Sequence, residues 1–382
     1  MSLTDLLTPI SSDSHIAEPT NCYRDNIEAK YKDAAPYIGR VDRDGKPVDV
    51  YIVDGIPDQI PVMGIISAGR SSKEQFNTGT LDLCEHQGGW DPKARLADQD
   101  RDGIGGEIIY PSLGMVLCGH PDGDYKNACF NAYDRWLQEY CSTAPDRLFG
   151  LGQTAIRSVK EAIADMERHK AMGFKGMMLP AFPAMEGDYS DAEFDPLWEA
   201  SIALKMPLSF HVLTGKRDEI MGGASGRGKS KLSGFVNLVR AIQDIFAMFV
   251  FDGVFDRHPD LRLVCTEADA GWLPHFAARA DHAYKRFEGT IKQPRMSKLP
   301  SEFFRENIYV TFQDDVSAFQ LAGMGLLNTD RLMWANDFPH SDSTWPTSIP
   351  QLEEFTRDLT DHQKRRILRD NVVELYNLPV AA

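Results

Sequence analysis

The sequence predicts an α/β fold, a (β/α)8 TIM barrel with an insertion after the first strand, and three observations predict it. Short apolar runs alternate with longer helical patterns along the chain, which is the signature of βα units around a parallel sheet. Eight such runs occur, at residues 9–16, 106–111, 149–154, 173–179, 206–212, 261–266, 308–311 and 331–335. No linker-like stretch divides the 382 residues, and such barrels reach this length as one domain. A single domain over 1–382 is therefore expected, and limited proteolysis yielding two independently folded halves would contradict it.

Taken in order, the first run ends in Asp13-Ser14-His15. The segment from about 37 to 90 is rich in Gly, Pro and Asp and breaks the repeat, so it reads as the insertion. Within it, Asp44-Gly45 is a hairpin turn signal. Before the second run, Asp98-Gln-Asp100-Arg-Asp102-Gly103 opens like a calcium loop. The position that should supply the bidentate Glu is Ile109, so the oxygen shell cannot close. The stretch is expected to be a helix end capped by Gly103. Residues 158–172 form a helix with Lys160, Glu161, Asp165 and Glu167 on a polar face.

The fifth run, 206–212, ends near His211. After it, residues 215–231 carry five glycines and read as a mobile loop over the mouth. Gly223 to Ser230 matches the phosphate-loop pattern formally, but charged residues precede it rather than a buried strand, so a nucleotide site is not expected. Residues 234–255 form a helix with little polar face, expected to be buried or packed on another subunit of a homo-oligomer. The eighth run leads into Trp334-Ala335-Asn336-Asp337-Phe338-Pro339-His340.

The formal net charge of −15 argues against nucleic acid and anionic membrane surfaces as partners. Six cysteines lack paired spacing and read as reduced thiols. Nothing approaches the ~18 apolar residues of a membrane span. The start of the chain lacks the basic and apolar regions of a signal peptide, so a cytoplasmic location is expected.

Chemistry concentrates at strand ends. Asp13 and His15, two apart on a strand, point to one side. His211 ends the fifth strand and Asp337 follows the eighth. Two carboxylates and two imidazoles converging at a barrel mouth suit a divalent ion with an open position.

The ordered set Asp13-Ser-His15-Ile-x-Glu18-Pro, His211, and Trp334-x-x-Asp337-Phe-Pro-His340 resembles the amidohydrolase-related branch of the amidohydrolase superfamily. That branch contains the aminocarboxymuconate semialdehyde and resorcylate decarboxylase types. Arg95-Leu-x-Asp98-x-Asp100-x-Asp102-Gly103, Gly253-Val-Phe-Asp256-Arg-His-Pro-Asp-Leu261 and Asn371-x-x-x-Leu375-Tyr376 add to the likeness. The resemblance implies Asp13, His15, His211 and Asp337 as ligands of one divalent ion, zinc first, with manganese or iron as alternatives. Many members carry a His at the end of strand six, where this chain has Glu267, with His275 eight residues later.

The reaction the resemblance implies first is non-oxidative decarboxylation of a small aromatic or muconate-like carboxylate, with Asp337 or His275 delivering the proton. A metal-dependent hydrolase uses the same residues, with Asp337 as base. A dinuclear oxygenase would draw on Glu18, Glu267 or His275 for a second ion, and a non-catalytic partner subunit is the fourth reading. Glu267 is expected to act on substrate rather than as a permanent ligand. Arg70 is placed to pair with a substrate carboxylate, and His340 and Trp345 to wall the pocket.

Overall fold

Eight parallel strands stand where the apolar runs placed them: Ile10–His15, Gly106–Tyr110, Leu148–Gln153, Gly176–Leu179, Leu208–His211, Leu263–Thr266, Ile308–Phe312 and Leu332–Trp334. Each pairs in parallel with the next in this order, with helices between them, in a nearly closed (β/α)8 barrel. The computed structural model describes residues 2–70, 79–81, 87–215, 236–291 and 295–380. The 215–231 loop and the formal phosphate-loop match lie, but for Gly215, outside the described residues.

Alternation along each strand splits outside from inside. Leu208 and Phe210 belong to the layer between sheet and helices, where Phe210 meets Phe246 and Phe249 edge-on or tilted. Ser209 and His211 are left for the lumen. The first and eighth strands meet through serine hydroxyls and loop amides. Ser12 Oγ donates to Trp334 O at 2.9 Å, and Ser11 Oγ accepts from Asn336 N at 2.9 Å. On the other edge of the first strand, where it pairs with the second, a register shift between Ser11 and Ser14 marks a bulge, the kind of irregularity that re-aims side chains at barrel rims.

The insertion is more ordered than one hairpin. Tyr37–Arg43, Lys46–Val53 and Ile56–Pro61 form a three-stranded antiparallel sheet. Asp44 and Gly45 both have positive φ (53° and 78°), as a two-residue turn with the twist of its strands requires. A second Asp-Gly pair, 54–55, turns the chain again and adds the third strand. The insertion is tied to the mouth, since Ala17 N donates to Gly89 O at 3.0 Å and Ala68 N to Pro339 O at 3.1 Å.

The helix expected at 158–172 runs Val159–Ala171, with the Ser158 side chain accepting from Glu161 N. The helix expected at 234–255 divides into Val239–Phe251 and Val254–Arg257 at Gly253, whose φ is +75°. The first piece buries Ile242, Ile245, Phe246, Phe249 and Val250 against the barrel. Pro92–Asp102 is a helix ended by Gly103 in the left-handed region, so the calcium-loop look-alike is a helix terminus. Five described cysteines are buried free thiols. Among the described residues no helix is long and apolar enough to cross a membrane.

Candidate metal centre

The C-terminal ends of strands one, five, six and eight converge. His15 Nε2 lies 3.4 Å from Asp13 Oδ1, 3.1 Å from Asp337 Oδ1 and 3.8 Å from Glu267 Oε2. His211 Nε2 lies 3.3 Å from Glu267 Oε2 and 3.6 Å from Asp13 Oδ1. Asp13, His15, His211 and Asp337 are buried to within 1%. Both oxygens of Asp13 and of Asp337, Nε2 of His15 and of His211, and Glu267 Oε2 are buried without a hydrogen-bond partner among the described residues. Leaving polar atoms buried and unpaired costs about 1–3 kcal/mol each, more for charged groups. Seven such atoms facing one another are the mark of a cation-binding pocket.

The imidazoles are oriented from outside. His15 Nδ1 sits 3.0 Å from Pro111 O, and His211 Nδ1 2.9 Å from Val212 O. A ring N–H donated to a carbonyl leaves the other nitrogen as a bare lone pair, the arrangement a metal-bound histidine needs. Burial, followed by the adjacent His340, pushes the His15 pKa down to about 4, so its ring is neutral at pH 7.

The loops aim the carboxylates. Asp337 has φ +53° and Glu267 φ +54°, a left-handed conformation that costs non-glycine residues about 1–3 kcal/mol and clusters at functional sites. Asp337 N donates to Asp13 O at 3.1 Å, and Glu267 N to Thr311 Oγ1 at 2.9 Å. Burial opposes ionisation of Asp337, but His340 and His15 outweigh it and hold its carboxyl well below the usual range. Burial, then the charges of Asp337 and Asp13, push Glu267 well above its usual range. Glu267 keeps 21% side-chain exposure at the mouth.

His340 belongs to the same constellation. Its Nδ1 is 3.1 Å from Asp337 Oδ1, its Nε2 2.8 Å from Ser112 Oγ, and its ring stacks on His15 at 3.9 Å. Trp345 is buried beneath the loop, donating its indole N–H to Asp98 O at 3.0 Å and packing on Phe338. Arg70 is half-buried in the strap whose Gly69 lies against the Trp345 ring. His275 is exposed on the helix Leu273–Phe287, outside the cluster.

Glu18 also stands apart. Its oxygens accept the amides of Ser112, Leu113 and Gly114 at 3.0–3.1 Å, which anchors the loop carrying Ser112. Two of the three residues considered for a second ion, Glu18 and His275, thus lie off the cluster.

Sequence reasoning named Arg95 in a motif but missed its role. It is fully buried, with Nη1 2.8 Å from His15 O, Nη2 3.3 Å from Phe338 O, and Nε 2.5 Å from Glu107 Oε2. One guanidinium thus ties together the two loops that carry most of the cluster. Its sequence signal was a charged residue on the buried face of a short helix. Beside His211 a cavity of about 860 Å³ opens, walled by Phe182, Leu213, Ile242, Ile245 and Met248.

A family model described as amidohydrolase matches residues 110–378. An amidohydrolase from Mycobacterium avium subsp. paratuberculosis is 20% identical, with a TM-score of 0.76 over 97% of this chain and 99% of that one. A 5-carboxyvanillate decarboxylase from Novosphingobium aromaticivorans, complexed with manganese and 4-hydroxy-3-methoxy-5-nitrobenzoic acid, is 18% identical with a TM-score of 0.67, over 97% and 96%. A dihydroxybenzoic acid decarboxylase from Polaromonas sp., with bound manganese and 2-nitroresorcinol, is 18% identical with a TM-score of 0.65, over 98% of each chain. At these identities the likeness is one of fold.

Proposed function

Because this chain belongs to the amidohydrolase family, we propose that it is a metal-dependent decarboxylase of a small aromatic or muconate-like carboxylate. The observation that carries the reading is the set of seven buried, unpartnered donor atoms at the barrel mouth. The fold it shares with manganese-complexed decarboxylases over nearly the whole chain supports the choice of reaction. Family membership favours an enzyme over a non-catalytic partner subunit.

Asp13, His15, His211 and Asp337 would hold the ion. Oxygen and imidazole donors without a thiolate suit manganese as well as zinc, so both stay in the proposal. When bound, a divalent ion supplies a Lewis acid that neutralises and orients the substrate carboxylate. The apolar cavity beside His211 gives the body of the substrate room.

The chain's own residues manage the proton. The bond between the substrate carbon and its carboxylate breaks, its electron pair stays on that carbon and takes a proton, and carbon dioxide leaves. Asp337, ionised at rest, would take a proton from His340 Nδ1, 3.1 Å away, and pass it to that carbon. His340, partly open to the mouth, links it to solvent. Glu267 faces the same space and Arg70 supplies a cation near the rim. Trp345 supports the wall from behind, and His275 has no part.

The test is carbon dioxide release from a panel of hydroxybenzoates and muconates by manganese- or zinc-loaded protein. In deuterium oxide, one deuterium should enter the product at the vacated carbon. Turnover of esters or lactones with every carboxylate untouched would overturn decarboxylation in favour of hydrolysis at the same site.

A further inference from the structure

We propose that Gln313, at the end of the seventh strand, donates its amide N–H to a hydroxyl or carbonyl oxygen that the substrate carries beside its carboxylate. The proposal rests on the reading of the mouth as a metal-held carboxylate site, and it narrows the substrate to carboxylates bearing such an oxygen.

Alternation along the strand places the residue. In Ile308–Phe312, residues 308, 310 and 312 belong to the layer beneath the helices, where Phe312 meets Phe319 edge-on at 5.0 Å. The opposite parity faces the lumen. Thr311 is of that parity, and its Oγ1 accepts from the Glu267 amide at 2.9 Å. Gln313 follows two residues later, one level nearer the mouth. Its flanks are the loops that carry metal donors. Val310 pairs with Cys265 on one side and Leu332 on the other, so Gln313, three residues on, is level with Ala268 and Ala335. Glu267 immediately precedes the first of these, and Asp337 closely follows the second.

The amide is bare. Gln313 is 8% exposed, and its Nε2 is buried without a hydrogen-bond partner among the described residues. Leaving such a group unpaired costs about 1–3 kcal/mol. Two other amides close to strand ends spend their nitrogens within the protein. Gln153 Nε2 donates to Gly114 O at 3.2 Å, and Asn336 Nδ2 to Glu107 Oε1 at 3.1 Å.

The chemistry of the atom selects its partner. The unpartnered oxygens and ring nitrogens of the metal cluster bring lone pairs and suit a cation. An amide N–H has no lone pair to give and needs an acceptor. The ion holds the substrate carboxylate, so the acceptor left for Gln313 is a further oxygen on the same molecule. A buried donor of this kind rejects an analogue without the matching oxygen far more strongly than an apolar wall would.

The experiment is calorimetric binding of matched probes to the full chain loaded with manganese(II), with metal counted per chain. The pairs are 2,6-dihydroxybenzoate with benzoate, and 2-hydroxymuconate with muconate. Wild-type protein should bind the oxygenated member of at least one pair more tightly. Gln313→Met, which keeps the length and removes the amide, should weaken that binding about tenfold. Binding of the plain member and the metal count should stay as they are, and Gln313→Ala should behave alike. Equal losses on both members, or no loss on either, overturn the proposal, as does wild-type protein that favours no oxygenated probe. Carbon dioxide release is scored separately on the same samples. Release with the discrimination unchanged in Gln313→Met overturns this proposal and leaves the decarboxylase standing. Gln313-dependent discrimination without release overturns the reaction and supports the proposal.

Discussion

Two buried polar clusters lie side by side at the barrel mouth, and they differ in how completely they are paired. In the first, Arg95 donates to Glu107, to His15 O and to Phe338 O. Glu107 accepts further from Gln99 Nε2 at 2.6 Å and Asn336 Nδ2 at 3.1 Å. Gln99 Oε1 is the one orphan among those side chains. In the second, Asp13, His15, His211, Glu267 and Asp337 lie 3.1–3.8 Å from one another and leave seven atoms without partners among the described residues. Burial separates them little and charge only in part, since Arg95 balances Glu107 while the second cluster gathers three carboxylates. What separates them is satisfaction: a buried ionic group whose bonds are complete positions the chain, while one whose bonds are withheld is shaped for something not made of protein.

The widest gap should open with Asp337→Asn. It keeps the size and removes the charge, so turnover is expected to fall by about 10²–10⁴-fold. The unfolding midpoint of the metal-free protein should hardly move. If turnover survives, the unpartnered cluster is not the active centre.

Arg95→Ala should do the reverse. It strands Glu107 as an unpaired buried charge, a change that costs about 3–5 kcal/mol, read by urea denaturation of the metal-free protein. A loss below about 1 kcal/mol would show that the saturated cluster does not hold the mouth together. The smallest effect is that of the ion itself. Adding manganese(II) to about a hundredfold over its Kd should stabilise the native protein by about 2.7 kcal/mol, visible as a rise in Tm, and Arg95→Ala should weaken that response by loosening His15 and the Phe338 loop. An unchanged Tm with wild-type protein would erase the distinction between the clusters.

The barrel was legible because strands and helices are local patterns: six of the eight expected runs contain the observed strands, and the other two, 149–154 and 308–311, each miss one end residue, Leu148 and Phe312. The hairpin at Asp44-Gly45 was legible for the same reason. The second turn, at Asp54-Gly55, carried the same signal, but no strong apolar alternation follows it in Ile56–Pro61, which contains two prolines. Asp13 and His15 could be paired from their spacing alone, and His211 and Asp337 from their places at strand ends. Glu267 was visible as an odd residue at such an end. That it turns inward depends on a positive φ and on Thr311, 44 residues away. Arg95 was opaque because its partners lie 80 and 243 residues off, at His15 and Phe338. Glu18 shows the opposite case. Its motif drew it towards the metal, and the amides of a loop some 94 residues later take its oxygens instead.

By itself, then, the sequence determined the repeating units, the order of the strands and the kinds of donor at their ends, since these follow from side-chain periodicity over a few residues. The tertiary structure decided which of those donors are already spent and which remain bare. A lone pair is satisfied or left open by groups that chain closure brings from far along the sequence, and no local pattern encodes how they meet.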